Sequence, residues 1–109
     1  MSDHLRFYEQ KYVKFYQKFC LETGNVKERL AECANDMDYA FSLSQIPDLE
    51  ESIRRTWRKY HGELTFHEGY SNIEPMKSKV KASLAGKHKN SLKKYLEFFF
   101  SEYSRIKNK

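Results

Sequence analysis

The chain has 109 residues and a mass of 13.1 kDa, with a net charge of +5 and a mean hydropathy of -0.86. This is the length of one domain, and it excludes a multidomain enzyme. No apolar run approaches the about 20 residues of a membrane-spanning helix, and residues 1–10 contain no signal-peptide core. Aliphatic residues are few, but aromatic residues make up 16 % of the chain and can build a core. We expect one folded, soluble domain.

Apolar side chains recur every three or four residues through most of the chain, which is the period of an amphipathic helix. The first predicted helix begins after Ser2, a favourable N-cap residue, and Gly24 ends it as a left-handed cap. Asn25 and Glu28 have the spacing of a capping box, which predicts a second helix over residues 26–43. The predicted buried residues of these helices are Leu5, Tyr8, Tyr12, Phe15, Phe19, Val26, Leu30, Cys33, Met37 and either Ala40 or Phe41.

A proline and a glycine bound the third predicted helix. Pro47 suits its first turn because the missing N–H needs no partner there, and Gly62 closes it. Residues 62–74 have no helical period and predict a loop, with a short hairpin over residues 64–70 as the alternative.

Two more helices complete the predicted fold. Pro75 begins a fourth helix that extends to about Ala85, and a last helix follows Gly86. The predicted buried residues of the third to fifth helices are Leu49, Ile53, Trp57, Tyr60, Met76, Val80, Leu84, Leu92, Tyr95, Leu96, Phe99, Tyr103 and Ile106. The sequence therefore predicts an all-α protein, a compact bundle of four to five helices in a single helical domain over residues 1–109.

Two small features refine this picture. Successive helical residues point about 100° apart, so either Phe98 or Phe100 must lie off the core face that holds Phe99; we favour internal packing over a contact for a partner. Cys20 and Cys33 are too few for a disulfide scaffold and lack C-x-x-C spacing. We interpret both as reduced core residues of a cytoplasmic protein.

Charge is segregated along the chain. Residues 22–51 contain eight acidic and two basic side chains, whereas residues 52–109 contain fourteen basic and five acidic ones. Protein surfaces usually mix the two signs, so an acidic block followed by a strongly basic half indicates a face that binds a polyanion.

The densest basic segment is residues 77–94, with seven lysines, one histidine and no acidic residue. Lysines that contact phosphates make binding to duplex DNA steeply dependent on salt. Gly86 lies at a predicted helix junction, where the next helix N-terminus can donate N–H groups to a phosphate. The alternative interpretation is a solvated face that serves solubility. The predicted contacts in this segment are Lys77, Lys79, Lys81, Lys87, Lys89, Lys93 and Lys94.

A second basic cluster lies on the third predicted helix and consists of Arg54, Arg55, Arg58 and Lys59. The planar arginine fork can contact guanine edges or phosphates with two hydrogen bonds, so these residues are the candidates for reading sequence. The alternative is that they pair with Glu50, Glu51 or the acidic second helix.

Signs of catalysis or metal binding are weak. His61, Glu63, His67 and Glu68 match no known metal-ligand spacing, and we expect no metal or other cofactor. Arg54 or Arg55 followed by His61 resembles the Arg-x4–6-His element of HEPN ribonucleases, which are helical bundles. That family usually has Asn, Asp or His directly after the arginine, where this chain has Arg55 or Thr56.

The segment from Asn90 to Phe99 resembles the final helix of the SAM-like core-binding domain of tyrosine recombinases, in which a polar cap leads into a Leu–Tyr–Phe stripe. The first predicted helix, with Phe15 and Phe19 before Gly24, is compatible with the same plan. The resemblance covers about a third of the chain, and it implies a basic helical domain that clamps DNA. The recombinase catalytic domain has no room in this sequence.

We therefore predict a non-catalytic nucleic-acid-binding protein, with duplex DNA favoured over RNA and no membrane partner. The alternative is a protein-interaction module, an inhibitor or adaptor, that docks through its segregated charges on another protein or on a second copy. A HEPN-like ribonuclease is a distant third reading.

Overall fold

A computed structural model of the chain describes residues 2–65 and 75–109. Within these ranges the chain forms six α-helices and no strand: α1 (Asp3–Leu21), α2 (Val26–Glu32), α3 (Ala34–Ser44), α4 (Glu51–Thr65), α5 (Met76–Ala85) and α6 (Lys89–Lys107). The all-α prediction is confirmed, and the helix count exceeds the predicted four to five. The Cα radius of gyration is 13.6 Å, close to the about 13 Å of a compact domain of this length.

Two predicted helix starts are confirmed by their capping bonds. Ser2 precedes α1, and its hydroxyl accepts a hydrogen bond from the Leu5 N–H at 3.1 Å. Asn25 precedes α2, and its side chain accepts from the Glu28 N–H at 2.9 Å. Between them Gly24 has a φ of 102°, the left-handed conformation expected of it, although α1 itself already ends at Leu21.

The predicted helix over residues 26–43 is two helices, which accounts for the extra element. Cys33 interrupts it with a φ of -95° and a ψ of 13°. The two parts pack on different neighbours, since α2 packs mainly against α5 and α3 mainly against α1.

Both predicted ends of the third helix are wrong. Pro47 lies in a turn that ends at the buried Leu49, and α4 begins only at Glu51. At its other end α4 continues through Gly62 to Thr65. The extra turn buries Leu64 fully. The free energy gained by this burial exceeds the about 1 kcal/mol that a glycine costs within a helix. The predicted hairpin falls mostly on residues 66–74, outside the described residues.

Trp57 on α4 is the centre of the core and is fully buried. Its ring lies 5.9 Å from Tyr12 on α1, and 5.6 Å and 5.8 Å from Phe98 and Phe99 on α6, measured between ring centroids. Phe98 therefore packs internally, and Phe100 is the residue that lies off the core face. Phe100 is 58 % exposed, so the prediction that the off-face phenylalanine packs internally is wrong.

A buried chain of polar groups crosses this core. The Trp57 indole N–H donates to the Tyr8 hydroxyl at 3.0 Å, and that hydroxyl donates to a carboxylate oxygen of Glu102 at 2.6 Å. Glu102 is only 3 % exposed, and Arg105 donates to both of its oxygens at 2.6 Å and 2.9 Å. Burial, then the neighbouring Glu102 charge, raises the pKa of Tyr8 far above its usual value. The network links α1, α4 and α6.

The two cysteines differ in environment. Cys33 is fully buried, as predicted, and burial raises the pKa of its thiol to about 11. Cys20 is exposed, so the prediction of a core position is wrong for that residue. It follows the buried Phe19 on α1 and therefore points away from the core face.

Candidate nucleic-acid interface

The seven lysines of residues 77–94 lie on α5, on the turn after it and on the first half of α6. They do not form one continuous face, because neighbouring residues on a helix point in different directions. Lys77 and Lys81 face α2, Lys87 and Lys89 line a separate groove, and Lys94 faces α4.

The first of these places is a cavity of about 550 Å³ between α2 and α5, which we call the mixed groove. Lys77 and Lys81 line it together with three carboxylates, Glu22, Glu28 and Glu32. Lys77 forms a short ion pair with Glu32, and this hydrogen bond lowers the pKa of the Glu32 carboxyl. The acidic block thus neutralises part of the basic segment within the same chain.

The second place is a groove of about 600 Å³ between residues 24–29 and residues 87–96, which we call the basic groove. Val26, Leu92 and Leu96 supply its apolar surface. No acidic residue occurs among the described residues that line it. Its basic side chains are Lys27, Arg29, Lys87, His88 and Lys89. Lys27 also lines the mixed groove, so the two cavities adjoin.

Arg29 is the most constrained cation of the basic groove. Its guanidinium carbon lies 4.6 Å from the centroid of the Phe19 ring, a cation–π contact that fixes the planar group. Its Nε is buried and has no hydrogen-bond partner among residues 2–65 and 75–109. Nor does any carboxylate in those ranges pair with the guanidinium. Arg29 is therefore a positioned donor group without a partner from the described part of the chain.

The start of α6 adds a further positive feature beside these side chains. His88 occupies the N-cap position, but its side chain makes no capping hydrogen bond, and the first turn of α6 contains no acidic residue. The N-terminus of a helix carries a partial positive charge and unpaired N–H groups, which attract anions. Lys89 begins α6, so the helix end and the basic groove coincide.

The arginine cluster of α4 is engaged internally. Glu51 forms an ion pair with Arg54 at 2.7 Å and accepts a hydrogen bond from Arg58 at 3.2 Å, and Arg55 lies 3.9 Å away from it. Arg58 also donates to the Gln45 side chain at 2.9 Å. The structure therefore confirms the alternative prediction, in which these arginines pair with Glu51. These arginines would have to exchange that partner to bind a phosphate.

A third group of predicted contacts surrounds Glu63 on α4. Its carboxylate accepts from Tyr95 at 2.7 Å and from Lys94 at 3.0 Å. Burial raises the pKa of the Glu63 carboxyl, but those two hydrogen bonds and the charges of Lys94 and Lys59 outweigh burial and lower it. Lys93 lies 3.8 Å from Glu97 on the same helix.

Five of the predicted contacts have no such partner. Within the described ranges, no carboxylate lies within 4.0 Å of the ammonium groups of Lys59, Lys79, Lys81, Lys87 and Lys89. Two of these, Lys87 and Lys89, are in the basic groove. They are the predicted residues whose charge is most available to an external anion.

His61, which the ribonuclease and metal hypotheses share, also has local partners. The His61 Nε2 lies 2.8 Å from an oxygen of Asp38, and its ring stacks on Phe41 with centroids 3.9 Å apart. His67 and Glu68 lie outside the described residues. Among residues inside them, no group of three or more His, Cys, Asp or Glu side chains is arranged to hold a metal ion.

Comparison with known proteins identifies no relative: no family model, curated protein or solved structure matches this chain. The likeness of the last helix to the recombinase core-binding domain stays a sequence resemblance. In the part of the chain that the structure describes, no helix has both the length and the apolar character to cross a membrane.

Sequence reasoning missed Lys27 and Arg29, the only two basic residues of the acidic block 22–51. Both line the basic groove with Lys87 and Lys89, about sixty residues later in the chain. A count of charge along the sequence groups these two residues with the acidic side chains of that block. Only the packing of residues 24–29 beside the start of α6 brings these charges together.

Proposed function

We propose that this chain binds nucleic acid without catalysis of its own, through the basic groove and the lysines beside it on α5 and α6, and that duplex DNA is its main partner. The observation that supports this most directly is the basic groove itself. Five basic side chains from two distant segments line one cavity, with no carboxylate among its described lining residues. Like charges in one place repel one another, and a polyanion removes that cost when it binds.

Neighbouring cations extend the surface available to a phosphate backbone. Lys81 lies in the adjoining mixed groove, and Lys79 lies on the same helix without a carboxylate partner in the described ranges. Lys93 and Lys94 continue the positive charge along α6, although each has a glutamate nearby. We expect these residues to contact phosphates and to position the nucleic acid rather than to select its sequence.

The arginines of α4 contribute less in this proposal. Arg54, Arg55 and Arg58 share Glu51 as a partner, so a phosphate must compete with an existing ion pair. If α4 reads bases, Arg58→Ala changes the preference among DNA sequences; otherwise it changes affinity slightly.

A titration tests the proposal. Labelled duplex DNA, single-stranded DNA and RNA are titrated with the protein at two salt concentrations. We expect duplex DNA to bind best at low salt and to lose affinity as salt rises, because each phosphate contact contributes about 0.9 to the slope of log affinity against log salt. Absence of binding to all three at low salt would refute the proposal.

Variants with equal loss of charge provide the control. Lys87→Ala with Lys89→Ala should weaken binding to all sequences and reduce the salt slope by about two. Lys14→Ala with Lys107→Ala removes the same charge from a separate cavity beside α1. We expect this second pair to have the smaller effect. Equal losses from both pairs would indicate attraction by net charge alone.

A protein-interaction module is the second candidate, and one observation favours it. Phe7 and Tyr39 are 42 % and 47 % exposed and form an edge-to-face pair with centroids 6.4 Å apart. Exposed aromatic side chains are typical of protein interfaces. If this face joins two copies, sedimentation at rising concentration shows a dimer that Phe7→Ser with Tyr39→Ser abolishes.

A further inference from the structure

We propose that the basic groove receives the phosphorylated end of a nucleic-acid strand, so that the protein prefers strands that carry a terminal phosphate. This inference rests on the proposed function and specifies which part of the nucleic acid the groove takes. It follows from the charge of the groove, from its shape and from its apolar surface.

The charge of the groove favours a terminal phosphate over an internal one. An internal phosphodiester carries one negative charge, whereas a phosphate monoester carries about -1.5 to -2 at pH 7 and has three acceptor oxygens. Lys27, Arg29, Lys87 and Lys89 all line the cavity. Their combined positive charge is in excess of what one internal phosphate neutralises.

Arg29 is suited to the role of anchor. Its guanidinium lies over Phe19, and no carboxylate of the described ranges lies within 4.0 Å of its nitrogens, so the group is held in place before an anion arrives. A planar guanidinium can donate two parallel hydrogen bonds to one phosphate. The unblocked start of α6, where the side chain of His88 makes no cap bond, offers backbone N–H groups to the same anion.

The shape of the groove points to the end of a strand. Residues 24–29 bound one side and residues 87–96 the other, and the volume of about 600 Å³ lies within the about 300–1,000 Å³ of cavities that hold a small ligand. A terminal nucleotide has such a size. Val26, Leu92 and Leu96 can take the less polar faces of its sugar and base. A phosphate in the middle of a duplex has neighbours on both sides and can only lie across the opening.

The test compares oligonucleotides that differ only at one end. Strands of the same sequence with a 5′-phosphate, a 3′-phosphate or only hydroxyl ends are measured by fluorescence anisotropy at fixed salt, as single strands and as duplexes. We expect at least one phosphorylated end to raise affinity about tenfold, the effect of one or two additional charge-assisted hydrogen bonds. Adenosine monophosphate should compete with the phosphorylated strand at a lower concentration than inorganic phosphate does, and this comparison distinguishes a nucleotide from free phosphate as the ligand.

Matched variants locate the effect. Lys87→Gln with Lys89→Gln should reduce the preference for the phosphorylated end to about twofold or less. Lys77→Gln with Lys81→Gln removes equal charge from the mixed groove. It should lower the affinity for both kinds of strand to the same extent and leave the ratio between them, the preference, intact. Arg29→Lys keeps the charge but not the planar fork and should lower the preference.

Three results have distinct meanings. Salt-dependent binding with equal affinity for phosphorylated and hydroxyl ends overturns this inference and leaves the proposed function standing. No binding of any oligonucleotide at low salt overturns both. A preference that survives in Lys87→Gln with Lys89→Gln but disappears in Lys77→Gln with Lys81→Gln assigns the end to the mixed groove and also overturns the inference.

Discussion

At the scale of single residues, the Tyr8 hydroxyl joins the two other side chains of the buried hydrogen-bond network. It accepts from the Trp57 indole and donates to Glu102, and all three side chains are buried. A buried polar group that loses its partner keeps the full cost of leaving water. Tyr8→Phe should therefore lower the free energy of unfolding by about 1–3 kcal/mol, measured by urea denaturation.

Tyr39→Phe is the matched control, because Tyr39 is nearly half exposed and water can satisfy its hydroxyl in either state. We expect a change within about 0.5 kcal/mol for this variant. Equal stabilities for Tyr8→Phe and the unmodified chain would mean that the buried chain of hydrogen bonds contributes no net stability.

At the level of secondary-structure elements, the helix end predicted at a glycine differs from the observed one. The sequence places a helix end at Gly62, whereas α4 continues through it to Thr65. Among the residues that the structure describes, a Cβ at Gly62 would meet no atom within 4 Å. Gly62→Ala should therefore raise the free energy of unfolding by about 0.5–1 kcal/mol, because alanine loses less backbone entropy in a helix. Thermal and urea unfolding measure the change.

Gly24→Ala is expected to have the opposite effect. Gly24 has a φ of 102°, and a Cβ there would collide with the side chain of Glu28. An L-residue pays about 1–2 kcal/mol for the left-handed conformation alone. A loss of stability in Gly62→Ala as well would contradict a helical residue 62 with open space for a Cβ.

The division of residues 26–43 into α2 and α3 shows why helix boundaries escaped sequence analysis. Val26, Leu30, Cys33 and Met37 have regular helical spacing, so the pattern alone predicts one helix. The break at Cys33 coincides with a change of main neighbour, from α5 for α2 to α1 for α3. Those neighbours are distant in sequence, and their positions are not encoded in local periodicity.

At the scale of the whole molecule, the carboxylates that pair with lysine side chains predict how the free energy of unfolding depends on pH. The pKa values of Glu63 and Glu32 are lower in the folded protein than in free side chains. Between the ordinary value and the lowered one, the unfolded chain binds more protons than the folded one, so stability falls as pH falls. We expect this loss to begin near pH 4.5 and to continue as the folded carboxylates become protonated.

Glu63→Gln should reduce the slope of that loss, since a glutamine does not titrate. Glu97→Gln is the control, because Glu97 is exposed and lies 3.8 Å from Lys93. Unfolding by urea at several values between neutral and acid pH measures both variants. A slope that is the same in Glu63→Gln as in the unmodified chain would contradict the role given to the bonds from Lys94 and Tyr95.

The sequence by itself determined the helical class, the aromatic core and the N-caps of two helices, because these features depend on local spacing. Ser2 and Asn25 are the N-caps of α1 and α2, and Trp57 and Phe99 are buried. It also placed most of the positive charge after residue 52. Only the tertiary structure decided which charges stay free. Packing sets Glu32 against Lys77 and Glu51 against the arginines of α4, while it brings Lys27 and Arg29 beside Lys87 and Lys89. Ion pairing acts across space, and its partners lie up to 100 residues apart in the chain.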